Sequence, residues 1–169
     1  MANPLFYDRI VPLDSAEHRK LRLRQLAAPY AFAARANLIP ALTAEFGAAA
    51  PSMPIAFLPG AEKPAAVFVT GFKPDQNVFV TGEGRWNGEY VPAYLRRYPF
   101  IMGDVPGGQP ILCVDANAAA LGEEGVKLFS REGKPEPALT QALQLADDYR
   151  VGAQRTDEFC IALQRLNLF

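Results

Sequence analysis

Prolines and glycines interrupt this chain throughout its length. Fifteen prolines and thirteen glycines are spread over 169 residues, and the sequence holds no repeat at a fixed period and no low-complexity tract. Proline ends helices and is excluded from central strands, and glycine marks turns. We therefore expect short elements joined by many turns. The length fits one domain over residues 1–169.

Apolar and alternating runs predict strands in the middle of the chain. Residues 20–24 alternate charged and apolar side chains, which indicates a strand with Leu21 and Leu23 facing the core; a helix starting at Ser15 is the alternative. Short connections favour antiparallel pairing, so we expect a mainly antiparallel central sheet. The other predicted extended segments are residues 53–58, 65–70, 77–81, 99–102 and 109–115.

Helical patterns flank these strands, which makes the expected fold class α+β. Residues 30–49 are rich in alanine and predict an N-terminal helical segment, broken near Pro40. Residues 91–97 predict one or two helical turns. Residues 136–166 carry two apolar stripes and predict two C-terminal helices, separated at Gly152.

Composition argues against several functions. Seventeen Lys and Arg nearly balance eighteen Asp and Glu, and this formal net charge of −1 argues against binding to nucleic acid. One histidine and two cysteines cannot supply a closed zinc site, and a single imidazole cannot supply a two-histidine iron site. We therefore expect no metal and no cofactor; the alternative left open is a magnesium site made of carboxylates alone, although no Asp-x-Asp run indicates one. A basic stripe does occur, and we interpret it as the solvated face of an edge strand; it consists of Arg19, Lys20, Arg22 and Arg24.

The cysteines and the absence of apolar spans bear on the compartment. Cys113 and Cys160 both lie in apolar surroundings, which predicts buried structural thiols. No signal-peptide pattern opens the sequence, and no apolar run is long enough to span a bilayer. We therefore expect a cytoplasmic protein with no membrane span.

Residues 82–100 carry the most functional information. They hold the only tryptophan, three of the six tyrosines and three arginines, which are the residue types that most often anchor protein interfaces. Tyr90 and Tyr94 are four residues apart and would share a helix face, which Arg97 would extend. The alternative is that the aromatic rings fill the core and the arginines stack on them. The candidate binding residues are Trp86, Tyr90, Tyr94, Arg96 and Arg97.

His18 is a sixth candidate because it is the only imidazole in the chain. It would bind a ligand or transfer a proton near neutral pH. The alternative is a solvated or capping residue between Glu17 and Arg19, with no function of its own.

Several motifs make the sequence similar to the SapC family of bacterial proteins. The most specific is residues 90–100, Tyr-Val-Pro-Ala-Tyr-Leu-Arg-Arg-Tyr-Pro-Phe. Shorter matches run in the same order from about residue 7 to residue 168, including Phe32-Ala33-Ala34, Met53-Pro54-Ile55-Ala56-Phe57 and Gly84-Arg85-Trp86.

This resemblance implies a genetic context for the protein but no particular reaction. The family is named for a bacterial surface-layer association, and its members are often encoded beside flavin-dependent tryptophan halogenases, cupin-like oxygenases and outer-membrane receptors. No catalytic residue set comes with it. We therefore expect a non-catalytic accessory protein that binds a protein partner, an oxygenase or a halogenase by that context. The alternative is a small-molecule or peptide binding module, including an enzyme that acts on a modified peptide or amino acid.

Overall fold

The computed structural model describes residues 3–60 and 63–169, which form two compact units. Unit 1 comprises the chain up to Pro29 together with Arg97–Asp147, and unit 2 comprises Tyr30–Arg96 together with Asp148–Phe169. In chain order the strands are β1 Ile10–Pro12, β2 Arg22–Leu23, β3 Leu38–Pro40, β4 Ile55–Leu58, β5 Ala65–Val69, β6 Phe100–Gly103, β7 Ile111–Asp115, β8 Leu121–Gly122 and β9 Val126–Lys127. The α-helices are α1 Phe46–Ala49, α2 Ala93–Arg96 and α3 Pro137–Arg165, and 3-10 turns cover Ala31–Ala33 and Thr43–Glu45.

Unit 1 contains two antiparallel sheets, ordered β1-β7-β6 and β8-β2-β9. Leu21 and Leu23 pack against its core, as the alternation in residues 20–24 predicts. The buried residues of this core are Phe100, Val114, Ala118, Leu121, Leu128, Phe129 and Leu139.

Unit 2 contains one antiparallel sheet, ordered β3-β5-β4. Phe68 at its centre is fully buried and lies opposite both Ile39 of β3 and Ile55 of β4. The helix α3 contributes Cys160 to this core. The other buried members are Ala41, Ala49, Met53 and Ala66.

Local sequence patterns predicted several elements correctly. The hairpin of β4 and β5, the strands β2, β6 and β7, and the helical turn α2 all form within the predicted ranges or within one residue of them. The α+β class is confirmed, with short antiparallel strands and a C-terminal helix.

The prediction of a single central sheet is wrong, because the described strands form three separate three-stranded sheets. The alanine-rich residues 30–49 do not form a helical segment either. They fold as two 3-10 turns and the short α1, with β3 between them. The strand forms because Leu38, Ile39 and Pro40 pair with β5, and this pairing overrides the helix propensity of the surrounding alanines.

Three further expectations are corrected. The two C-terminal helices are one continuous helix, α3, and Gly152 lies within it. A Cβ at Gly152 would lie 2.9 Å from Cδ1 of Leu42, so the glycine makes room for that side chain. Residues 77–81 form only an isolated bridge, Val80 to Trp86. The strand β2 is central, between β8 and β9, rather than an edge strand.

A buried carboxylate, Asp115, holds the N-terminal segment of unit 1 against β7. Oδ1 accepts the backbone N–H of Arg9 at 2.9 Å, and Oδ2 accepts that of Asp8 at 3.1 Å and the hydroxyl of Tyr98 at 3.2 Å. Burial raises the pKa of Asp115, but these hydrogen bonds together with that from Asn117 outweigh it and leave the pKa lowered. The folded state therefore favours the ionised form.

We expect the stability that Asp115 contributes to be present at neutral pH and lost in acid. A lowered pKa in the folded state gives stabilisation above the unfolded value of about 4, which disappears as pH falls through the folded pKa. Asp115→Asn should lower the free energy of unfolding by about 2 kcal/mol at pH 7 and flatten its acid dependence. Urea unfolding between pH 7 and pH 3 measures both, with exposed Asp104→Asn as the control. An unchanged acid dependence in Asp115→Asn would contradict this role.

Candidate functional site

The candidate site of unit 2 is built around a buried acid, Glu45, which is 5% exposed. It ends the 3-10 turn Thr43–Glu45, and its side chain folds back so that Oε2 accepts the backbone N–H of Leu42 at 3.2 Å. The backbone N–H of Glu45 in turn donates to the carbonyl of Leu42 at 2.9 Å. This reciprocal pair resembles a capping box, which fixes the start of a helical turn.

The other carboxylate oxygen of Glu45 binds the segment that carries the predicted site residues. Oε1 accepts the hydroxyl of Tyr90 at 2.8 Å and the backbone N–H of Ala93, the first residue of α2, at 2.6 Å. Nη2 of Arg96 lies 4.0 Å from the same oxygen. A buried carboxylate needs such partners because unpaired burial of a charge is costly.

Arg96 is fixed by its own segment while remaining accessible. Its side chain is 44% exposed. Nε donates to the carbonyl of Val91 at 3.0 Å, Nη2 donates to the Tyr90 hydroxyl at 3.4 Å, and the guanidinium carbon lies 5.8 Å from the centre of the Tyr90 ring. Cation–π attraction at this distance holds the guanidinium over the ring. A guanidinium has more N–H donors than these contacts use, so Arg96 can still bind an external acceptor.

Trp86 is half-buried beside this pair. Its indole Nε1 donates to the carbonyl of Tyr90 at 2.9 Å, and its ring stacks on Phe79 with centroids 5.3 Å apart. Tyr30 packs on it at 5.9 Å in a tilted arrangement. A Cβ at Gly88 would lie 2.8 Å from the indole nitrogen, so only glycine fits at that position. We call Trp86, Tyr90 and Arg96 together the Arg96 face.

The surroundings of Tyr90 keep its hydroxyl protonated. Burial raises the pKa of Tyr90, and the hydrogen bond to Glu45 and the charge of Glu45 raise it further, while Arg96 has the opposite effect. The phenol of Tyr90 therefore stays protonated, and donates to Glu45, at pH values where an ordinary tyrosine begins to ionise. The Arg96 face is a set of neutral aromatic groups carrying one exposed cation.

The structure does not place Tyr94 and Arg97 in the Arg96 face. Tyr94 is buried and packs edge-to-face on Tyr149 at 5.5 Å in unit 2. Arg97 is buried in unit 1, with its guanidinium 5.6 Å from the centre of the Tyr7 ring. The two adjacent arginines thus have different surroundings, Arg96 exposed and Arg97 enclosed.

His18 lies in a turn of unit 1, whereas Trp86, Tyr90 and Arg96 belong to unit 2. The backbone N–H of Asp14 donates to its Nδ1 at 3.1 Å, and its own backbone N–H donates to the carbonyl of Asp14 at 2.8 Å. Oδ1 of Asp14 accepts the N–H groups of Glu17 and Ala16, and these bonds lower the pKa of Asp14. These contacts give His18 a capping role in the turn.

Sequence reasoning missed Glu45, which organises the Arg96 face. One signal was present: Glu45 is the only charged residue between Arg35 and Glu62. A lone charge in an apolar stretch is expected to be either exposed or bound by specific donors. The donors Tyr90 and Ala93 lie 45 and 48 residues away in the sequence, so local patterns could not identify them.

Cys113 and Cys160 are free and buried, as predicted, and burial raises the pKa of both. Among residues 3–60 and 63–169 no group of three or more His, Cys, Asp or Glu side chains could hold a metal ion. No helix in the same part of the chain is long and apolar enough to cross a membrane.

We expect Glu45→Gln to loosen the Arg96 face. An amide offers one oxygen and one donor nitrogen, so it cannot accept all the N–H and O–H groups that now point at the carboxylate. The free energy of unfolding should fall by about 2 kcal/mol, and the emission of the single tryptophan, Trp86, should move to longer wavelength. Glu89→Gln, which removes an exposed acid of the same segment, is the control. Equal stability and emission in both variants would contradict the role of Glu45.

Comparison with known proteins identifies the family of the chain. No curated protein and no solved structure matches the chain. The family model described as SapC matches residues 13–169, which is nearly the whole chain. The resemblance inferred from the motifs is therefore confirmed, and the chain belongs to the SapC family.

Proposed function

We propose that this chain is a non-catalytic accessory protein that binds a partner protein through the Arg96 face. The proposal rests on the exposure of Arg96 and on the contacts that hold its side chain. It is exposed, yet it is held over the Tyr90 ring and bonded to the Val91 carbonyl.

The fixed geometry of the face favours binding. A flexible arginine loses side-chain entropy when it enters an interface, and an arginine already held in place loses less. Trp86 and Tyr90 are likewise held, by the bond between the indole and the Tyr90 carbonyl and by the bond between the Tyr90 hydroxyl and Glu45. Tryptophan, tyrosine and arginine are the residue types that contribute most to binding at interfaces.

The chemistry of the face specifies what the partner brings. The unused donors of Arg96 would pair with a carboxylate of the partner, and the exposed parts of the Trp86 and Tyr90 rings would lie under an apolar side chain. Glu45 is buried beneath the face and satisfied by its own chain, so it does not compete for an external cation.

The resemblance to the SapC family supplies the first candidate partners. Flavin-dependent halogenases and cupin-like oxygenases are the enzymes expected in its genetic context, and we propose that the partner is one of them. A cytoplasmic location belongs to the same proposal and is supported by two buried free thiols, which fit a reducing compartment.

Affinity capture from the native host, followed by titration of the purified captured protein, tests the proposal. Arg96→Ala should weaken the complex by about 2 kcal/mol, which is roughly thirty-fold in Kd. Binding should also shift the emission of Trp86 to shorter wavelength, because the partner would cover the indole.

Arg85→Ala is the matched control, since Arg85 is an exposed arginine of the same segment whose nearest ionic partner is the exposed Glu83 at 3.6 Å. We expect its effect to stay within about two-fold. A complex equally tight with Arg96→Ala would remove the Arg96 face from the interface. Binding of a free peptide or amino acid at this face, with no protein partner, would support the alternative function of a ligand-binding module.

A further inference from the structure

Unit 1 contains a concave surface that is lined mainly by cations. It has a volume of about 480 Å³. The positive side chains come from two places, the region of β2 and β9 and the turn after Phe129. The lining includes five cations and one carboxylate, that of Glu123; the cations are Arg19, Lys20, Arg22, Lys127 and Arg131.

The pairing of the sheet brings two of these cations together. Arg22 of β2 lies directly opposite Lys127 of β9, so both side chains lie on the same face of the sheet. Like charges in this position repel and lower the stability of the pair. Neither side chain forms an ion pair or hydrogen bond with any residue of the described ranges 3–60 and 63–169.

Arg24, two residues after Arg22, has a structural role in the same segment. Its Nη2 donates to the carbonyl of Leu121 at 2.6 Å, and its guanidinium occupies the space above Gly122, where a Cβ would lie 2.7 Å from Nε. Arg24 is therefore bound by its own chain and does not line the cavity. The charge of Arg22 and Lys127 has no such compensation.

The rest of the cavity wall is ordered. Phe129 is buried and its backbone bridges to Pro135. The hydroxyl of Ser130 accepts the backbone N–H groups of Glu132 and Lys134, each at 3.2 Å, and closes the turn that carries Arg131. Arg131 is thus presented by a hydrogen-bonded turn on an apolar base.

We propose that this basic cavity binds a small organic anion that carries more than one phosphate group. Its volume lies in the range of small-molecule sites. Three of its five cations are arginines, and the planar guanidinium pairs with phosphate oxygens through two parallel hydrogen bonds. A ligand with several negative charges would also relieve the repulsion between Arg22 and Lys127. The residues that line this cavity belong to unit 1, and those of the Arg96 face belong to unit 2.

Calorimetric titration of the full chain with inorganic tripolyphosphate at low salt tests this assignment. We expect saturable binding that weakens as salt is added. Arg22→Gln combined with Lys127→Gln should weaken binding by at least about ten-fold. Lys73→Gln combined with Arg155→Gln removes the same charge from exposed positions outside the cavity, and it should change the affinity by no more than about two-fold.

Two further measurements keep the result interpretable. Without ligand, the double variant at Arg22 and Lys127 should melt at or above the temperature of the unmodified chain, because a repulsion has been removed. Arg131→Gln, which lies on the turn outside the sheet, should weaken binding by about five-fold on its own.

The assignment is overturned if tripolyphosphate shows no saturable binding, or if both double variants lose affinity equally. Tighter binding of citrate or of a single-stranded oligonucleotide would overturn it as well.

Discussion

The carboxylate of Glu45 is the interaction on which the candidate binding surface depends. It is buried, and it is bonded to the backbone at Leu42, to the Tyr90 hydroxyl and to the N–H that begins α2. A charge in this environment is stable only while those donors stay in place. The same bonds therefore fix the position of Tyr90, and through its ring and hydroxyl they fix Arg96. The buried hydrogen bonds of Glu45 thus determine where the exposed guanidinium of Arg96 lies.

Each unit contains a buried acid whose hydrogen-bond donors come from its own chain. In unit 2 the buried acid is matched by donors of its own chain, and the exposed Arg96 is partly balanced by that acid at 4.0 Å. In unit 1 the buried Asp115 is matched in the same way, by three backbone N–H groups and a phenol. The basic cavity differs, because Arg22 and Lys127 occupy opposite positions of a strand pair and neither forms an ion pair with the described residues. The two proposed sites therefore differ in their electrostatics. The Arg96 face is held in place by a buried acid that has its own donors, whereas the basic cavity carries cations that no ion pair of the described residues neutralises.

Sequence patterns predicted the features that depend on near neighbours. The alternation around Leu21 and Leu23, the hairpin of β4 and β5 and the turn of α2 all follow from local order. The failures arise from distant contacts. The strand β3 forms inside an alanine-rich run because β5 pairs with it. Gly152 lies inside a continuous helix, where the absence of a Cβ leaves room for Leu42. Packing in the fold also leaves Arg96 exposed and buries Arg97. The two arginines are adjacent in the sequence, so a local pattern could not predict which of them would be exposed.

Backbone hydrogen exchange at two amides tests the organising role of Glu45 most directly. The N–H groups of Leu42 and Ala93 both donate to its carboxylate. We expect both to be strongly protected in the unmodified chain and to lose protection in Glu45→Gln, while amides of β7 in unit 1 keep theirs. Rapid exchange at Leu42 and Ala93 in the unmodified chain would show that the carboxylate does not hold the Arg96 face in place.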